Sequence, residues 1–204
     1  MFGKTGRKRH SGDFWAWLAA NTSRIQAAGT GRRGAEDVAI GELSRAFKKS
    51  YPDLVWEIAP TDTGPWTFCV SADGNLQLFD RVKSAVAAAP PIPGWEIKAF
   101  RQRGSLDAVI KMRGRRLGCD DIWCKVQPDG TRARVTLLVR GLTLDSAEEL
   151  LGAALVLLDN AVGEHDAVAK ISELNNGPLP EQPVKSARLF PLSDLPAYLD
   201  GLGE

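Results

Sequence analysis

The stretch Arg134-Val-Thr-Leu-Leu-Val-Arg140, with Gly141 after it and a long apolar run over residues 145–162 that stops at Gly163, decides how the chain is read. The first part is a strand signal, rich in β-branched residues and leucine and closed by a glycine. In the second part Ala147, Leu150, Leu151, Ala154, Leu155 and Leu158 recur at spacings of three and four. That spacing predicts a helix with a wide buried stripe. Asp145 with Glu148 three positions on reads as a capping box, and Gly163 as the residue for a left-handed C-terminal turn. Residues 167–174 are then predicted to return as a strand.

Working outward, residues 121–127 and 132–140 are predicted to pair across the turn Pro128-Asp-Gly130. Further upstream, Leu54, Trp56 and Ile58 alternate with Val55 and Glu57 as a strand, and Thr61-Asp-Thr-Gly-Pro65 turns it into a partner at 66–71. Asn75 caps a helix bearing Phe79, Val82 and Val86, Pro90-Pro91 end it, and Gly94 releases a strand at 95–100. The order strand, strand, helix, strand thus occurs over 54–100 and again over 121–174, without residue-level similarity. Two helices precede it. One, capped by Asp13, carries Phe14, Trp17, Leu18 and Ile25 with Trp15 at their edge; the other, 35–50, carries Val38, Leu43, Ala46 and Phe47. Gly29-Thr-Gly-Arg-Arg-Gly34 between them is a connector, since it lacks the Gly-Lys-Ser/Thr ending of a phosphate loop. The expected fold is α+β: a mainly antiparallel mixed sheet with two long helices on one face, two strand-strand-helix-strand halves, and an N-terminal helix pair. The expected organisation is a disordered basic tail, 1–12, and one domain, 13–204. That domain comprises a helical hairpin (13–50), the sheet with its helices (54–174) and a C-terminal extension (175–204) with a short terminal helix at 192–202.

With 204 residues, 44% of them hydrophobic, the chain has material for a substantial core. Its net charge of +1 gives no strong overall field toward nucleic acid or membrane. Cys69, Cys119 and Cys124 are an odd, sparse set, which points to free thiols in a reducing compartment, hence the cytoplasm. No apolar run approaches the roughly 20 residues of a membrane span, and no apolar stretch follows the basic tail as in a secretion signal.

Motifs along most of the chain after residue 13 are similar to those of a family of uncharacterised bacterial proteins. They are Phe14-Trp15-Ala-Trp17 with Asn21, residues 54–58, Val70-Ser-Ala-Asp-Gly74, and Ala89-Pro90 followed by Pro93-Gly-Trp95 and Ala99-Phe100. Asp121-Ile-Trp123, Leu158-Asp159 with Gly163-Glu164, and Pro191-Leu192 with Leu195-Pro196 continue the pattern. The resemblance implies a globular bacterial α+β fold; it carries over no activity, cofactor or catalytic residue. The basic tail and the arginines at 113–116 depart from the family pattern.

Charge is uneven in one place. Between residues 98 and 116, Lys98, Arg101, Arg103, Lys111, Arg113, Arg115 and Arg116 face the single acid Asp107, a local excess of six. If these residues lie on two strands meeting near Gly104 or Gly114, Arg101 with Arg103, and Lys111 with Arg113 and Arg115, share faces. Trp66 and Trp95 adjoin turn residues and are candidate exposed anchors beside them. The leading expectation is therefore a non-enzymatic binding module, adaptor-like or immunity-like, whose partner-binding residues are Trp66, Trp95, Arg101, Arg103, Lys111, Arg113, Arg115 and Arg116. An enzyme built on Glu57, Asp121 and Glu164 with His165 is the first alternative. The bland reading of Gly163-Glu-His-Asp166 is a solvated turn, and of Asp120-Asp121 strand-entry acids pairing with Arg115 and Arg116. A nucleic-acid binder using the basic segment is the second alternative. The five-residue separation of Cys119 and Cys124 and the lack of CxxC or HxxxH pairs give no expectation of a metal, and no cofactor motif is present.

Overall fold

The computed structural model describes residues 12–29, 35–61, 63–112 and 114–202. The basic tail up to residue 11, the connector residues 30–34, and Arg113 lie outside the described residues. The architecture is α+β with mixed sheets, and the chain divides into two compact units, Met1–Phe100 and Arg101–Glu204.

In the first unit helices α1 (Gly12–Gly29) and α2 (Ala35–Ser50) precede strands β1 (Val55–Ala59) and β2 (Trp66–Ser71), helix α3 (Phe79–Ala87) and strand β3 (Trp95–Ala99). The sheet order is β1-β2-β3: β1 and β2 are antiparallel with Ile58 opposite Phe68, and β2 and β3 are parallel with Trp66 opposite Trp95. Phe68 anchors the core, its ring 5.5 Å from Phe14, 5.7 Å from Trp15 and 6.0 Å from Phe47. The helical hairpin is therefore packed into this unit. On α1 the two tryptophans exchange the expected places: Trp15 is fully buried and donates its indole N–H to Ala85 O at 3.1 Å, whereas Trp17 is half-buried. Phe14, Trp15, Leu18 and Ile25 cluster about one helical direction, and Trp17 falls at its margin. On α2 Val38 is exposed rather than buried, and Ala39, Leu43 and Phe47 form the stripe.

The second unit begins with a separate two-stranded hairpin, β4 (Val109–Met112) and β5 (Arg115–Gly118). Next come β6 (Ile122–Asp129), β7 (Arg132–Val139), α4 (Ala147–Val162), α5 (Glu164–Lys170), β8 (Ile171–Pro178), β9 (Leu189–Pro191) and α6 (Leu195–Asp200). Strand order in the larger sheet is β8-β7-β6-β9, with β7 and β8 parallel and the other neighbours antiparallel. Alternation along β6 and β7 buries Ile122, Cys124, Val126, Ala133, Val135, Leu137 and Val139. α4 covers them with Leu150, Ala154, Leu157, Leu158 and Ala161.

Several expectations change here. The strands are distributed over three sheets rather than one. The capping pair before α4 is Thr143 and Ser146, where Thr143 N donates to Ser146 Oγ at 2.9 Å, and not Asp145 with Glu148. Leu155 is 48% exposed, so the buried stripe runs along the other side of that residue. Gly163 has φ +78° and ψ 150°, which is not the left-handed helical region, and the chain enters α5 directly. The returning strand consequently starts at Ile171, because residues 164–170 are helical. Among the described residues no helix is long and apolar enough to cross a membrane.

Candidate functional site

Hairpin β4–β5 carries the only predicted cations that stand clear of carboxylates among the described residues. Its register sets Ile110 opposite Leu117, Lys111 opposite Arg116 and Met112 opposite Arg115. Ile110, Met112 and Leu117 pack into the core of the unit, so the pleat sends Lys111 and Arg116 together to the other face. Directly opposed residues of an antiparallel pair have Cβ atoms roughly 5 Å apart. Arg115 starts on the Met112 side, not with Lys111 as expected from spacing alone, because the chain reverses after Met112 and Gly114, at φ +80°, sits in the turn. All three cations are exposed, and with Met112 and Gly114 they line an open hollow of about 530 Å³. None has a carboxylate within ion-pairing distance among the described residues. Arg113 lies outside the described residues.

The remaining predicted cations are engaged elsewhere. Lys98, on β3 of the first unit, pairs with Glu96 at 3.2 Å. In the second unit no strand forms between residues 101 and 108, and Arg101 lies 3.8 Å from Asp159. Arg103 is held most firmly. Its guanidinium donates to Asp200 at 2.8 and 2.6 Å, to Asp166 at 2.6 Å and to Val162 O at 3.1 Å. Lys170 adds bonds to Asp166 at 3.2 Å and Asp200 at 3.5 Å. The Arg103 hydrogen bond and charge hold the Asp200 carboxyl down at about 2, against the pull of desolvation. At Asp166 burial pushes the pKa up, but hydrogen bonds from His165, Arg103 and Lys170 outweigh it and the net shift is downward. Arg103 is itself raised by the Asp200 bond. Since its partners lie 63 and 97 positions away, no local pattern in the sequence announces this network.

Trp66 and Trp95 are each only 7% exposed, which removes them as surface anchors. Their rings meet edge to face at 5.8 Å, and Trp95 donates its indole N–H to Thr22 Oγ1 at 3.1 Å. Paired strands β2 and β3 set the two residues side by side, so each covers the other.

The carboxylates singled out for catalysis have structural settings. Asp121 accepts from Gly118 N and from Arg140 Nε, both at 3.1 Å, and so ties the end of β5 to the end of β7. Its arginine is Arg140, not Arg115 or Arg116. Glu164, expected in a solvated turn, is 1% exposed and accepts from Arg101 N at 3.1 Å. His165 is exposed, with Nδ1 3.2 Å from Asp166 Oδ1, and Glu57 is exposed on β1 of the first unit. Among the described residues no group of three or more His, Cys, Asp or Glu is placed to hold a metal ion.

No family model, no curated protein and no solved structure matches this chain.

Proposed function

We propose that this protein is a non-enzymatic binding module of the bacterial cytoplasm that meets an acidic protein partner through hairpin β4–β5. The observation that supports this reading is the pairing of Lys111 with Arg116 across the hairpin, with Arg115 at the turn on the Met112 side, all exposed and without ion-pair partners among the described residues. Like charges directly opposed on a strand pair destabilise it, and an anionic partner offsets that cost. The hairpin is held from behind by Ile110, Met112 and Leu117, so its cations sit on a fixed frame. The three cations among the described residues suit a carboxylate-bearing protein surface better than a nucleic acid. Neutralising three phosphates yields a log–log salt slope of only about −2.7, the regime of weak binding, in a protein whose net charge is +1.

The test is charge reversal of Lys111→Glu together with Arg116→Glu. Both residues are exposed, so the stability change should stay within about 0.5 kcal/mol. Pull-downs from the source cell should lose an acidic protein partner that the unaltered chain recovers, and the purified partner should rebind only the unaltered chain. Recovery of every partner unchanged would remove the hairpin from the functional account. Tight, reversal-sensitive binding to a duplex DNA run in parallel would replace the protein partner with nucleic acid.

A further inference from the structure

The first unit holds a second feature, independent of the hairpin. We propose that the cleft between α1 and α2 binds a small aromatic anion, a flat apolar body carrying a carboxylate or sulfonate. The cleft is an open one of about 350 Å³, at the small end of the range for ligand sites. Its floor and wall come from α1: Phe14 is 1% exposed, and Trp17 stands half-exposed beside it, the rings 6.4 Å apart and inclined by 23°. The indole N–H of Trp17 has no hydrogen-bond partner among the described residues, in contrast to those of Trp15 and Trp95.

The opposite side comes from α2. Arg45 and Lys49 are four positions apart, hence on one face of the helix, and both line the cleft and are exposed. The neighbouring charges are used within the fold. Glu42, the one carboxylate that lines the cleft, pairs with Arg24, and Lys48 donates to Pro52 O at 3.2 Å and Leu54 O at 2.8 Å. Arg45 and Lys49 make no ion pair among the described residues. An aromatic plane is thus flanked by two uncompensated cations and one unused N–H donor. A flat ring would stack on Trp17, and its anionic group would take charge-assisted bonds from Arg45 and Lys49. A cation is repelled by the same pair, and a neutral ring gains only the stacking.

The probes are 2-naphthoate and its neutral isostere 2-naphthamide, added to the full chain and followed by the NMR signal of the Trp17 indole N–H, assigned with Trp17→Phe. Naphthoate should move that signal saturably, and naphthamide should bind at least about tenfold more weakly, the order expected when a charge-assisted bond is lost. Arg45→Glu with Lys49→Glu should weaken naphthoate by at least about the same factor without changing the melting curve. The milder Arg45→Gln with Lys49→Gln serves if the reversal unfolds the hairpin. Equal binding of the two probes, undiminished naphthoate binding by the variants, or a response confined to other indoles would each overturn the proposal.

Discussion

Glu164 shows how far the setting of one side chain can depart from its local sequence. Its flanks, Gly163 and His165-Asp166, suggest a solvated turn, yet it is buried and doubly tied to Arg101: Oε2 accepts from Arg101 N at 3.1 Å, and Glu164 N donates to Arg101 O at 3.0 Å. The close approach of the Arg101 segment also explains Gly163, where an added Cβ would lie 3.2 Å from Arg101 O at a φ of +78°. Glu164→Ala should cost about 1–3 kcal/mol, because it leaves Arg101 N without its acceptor, and Glu164→Gln, which keeps an acceptor oxygen, should cost less. Urea melts of the two variants check this; equal, negligible losses would contradict it. The nearby network of Arg103, Lys170, Asp166 and Asp200 sets an acid limit. Both carboxyls titrate lower in the folded chain than at their ordinary 3.8, so on acidification the unfolded chain takes up protons first. The stability contributed by Asp200 is present above pH 3.8 and is lost as the pH falls toward about 2. Melting temperatures between pH 5 and pH 2 should therefore drop less steeply in Asp200→Asn than in the unaltered chain; identical slopes would leave the network without a stabilising role.

Helix α4 shows what was legible at the level of an element and what was not. Its existence and burial follow from spacing and its end at Val162 from the glycine that comes next, but the phase of its stripe does not. Residues 150–158, Leu-Leu-Gly-Ala-Ala-Leu-Val-Leu-Leu, are apolar all round, so no polar face marks the solvent side. Docking against β6 and β7 selects Leu150, Ala154, Leu157 and Leu158, and leaves Leu155 and Val156 48% and 55% exposed. Leu158→Ala, at a site 2% exposed, should cost roughly 2–5 kcal/mol through lost transfer energy and a cavity. Leu155→Ala should stay within about 0.5 kcal/mol. Denaturant melts that ranked the two the other way would sink the assigned phase. The seven-residue α5 escaped the sequence reading because so short a helix has little stability of its own and forms through tertiary contact. The candidate site was legible only as a charge excess. Which cations remain available depended on where distant acids fold, and Asp166 and Asp200 claimed Arg103 while Asp159 drew in Arg101.

At the scale of the whole molecule, the repeat seen as element order is also a repeat of strand pairing. β1, β2, α3 and β3 give an antiparallel pair followed by a parallel one, and β6, β7, α4 and β8 give the same arrangement with α5 inserted before the last strand. The second sheet is further extended by β9 on its β6 edge. Each unit buries cysteine in its own core: Cys69 is 7% exposed in the first, Cys119 and Cys124 are 2% and 0% in the second, and all three are free thiols. Burial pushes the Cys119 and Cys124 thiols up, with nearby acids adding to the effect, which disfavours the reactive thiolate at both. A disulfide-exchange reagent should therefore label no cysteine within minutes in native buffer, and all three in concentrated urea. Labelling at intermediate urea, mapped by peptide mass, reads the units separately, because Cys69 becomes accessible when the first core opens and Cys124 when the second does. Rapid modification of Cys124 in native buffer would show that the sheet of the second unit is not closed over β6 as described.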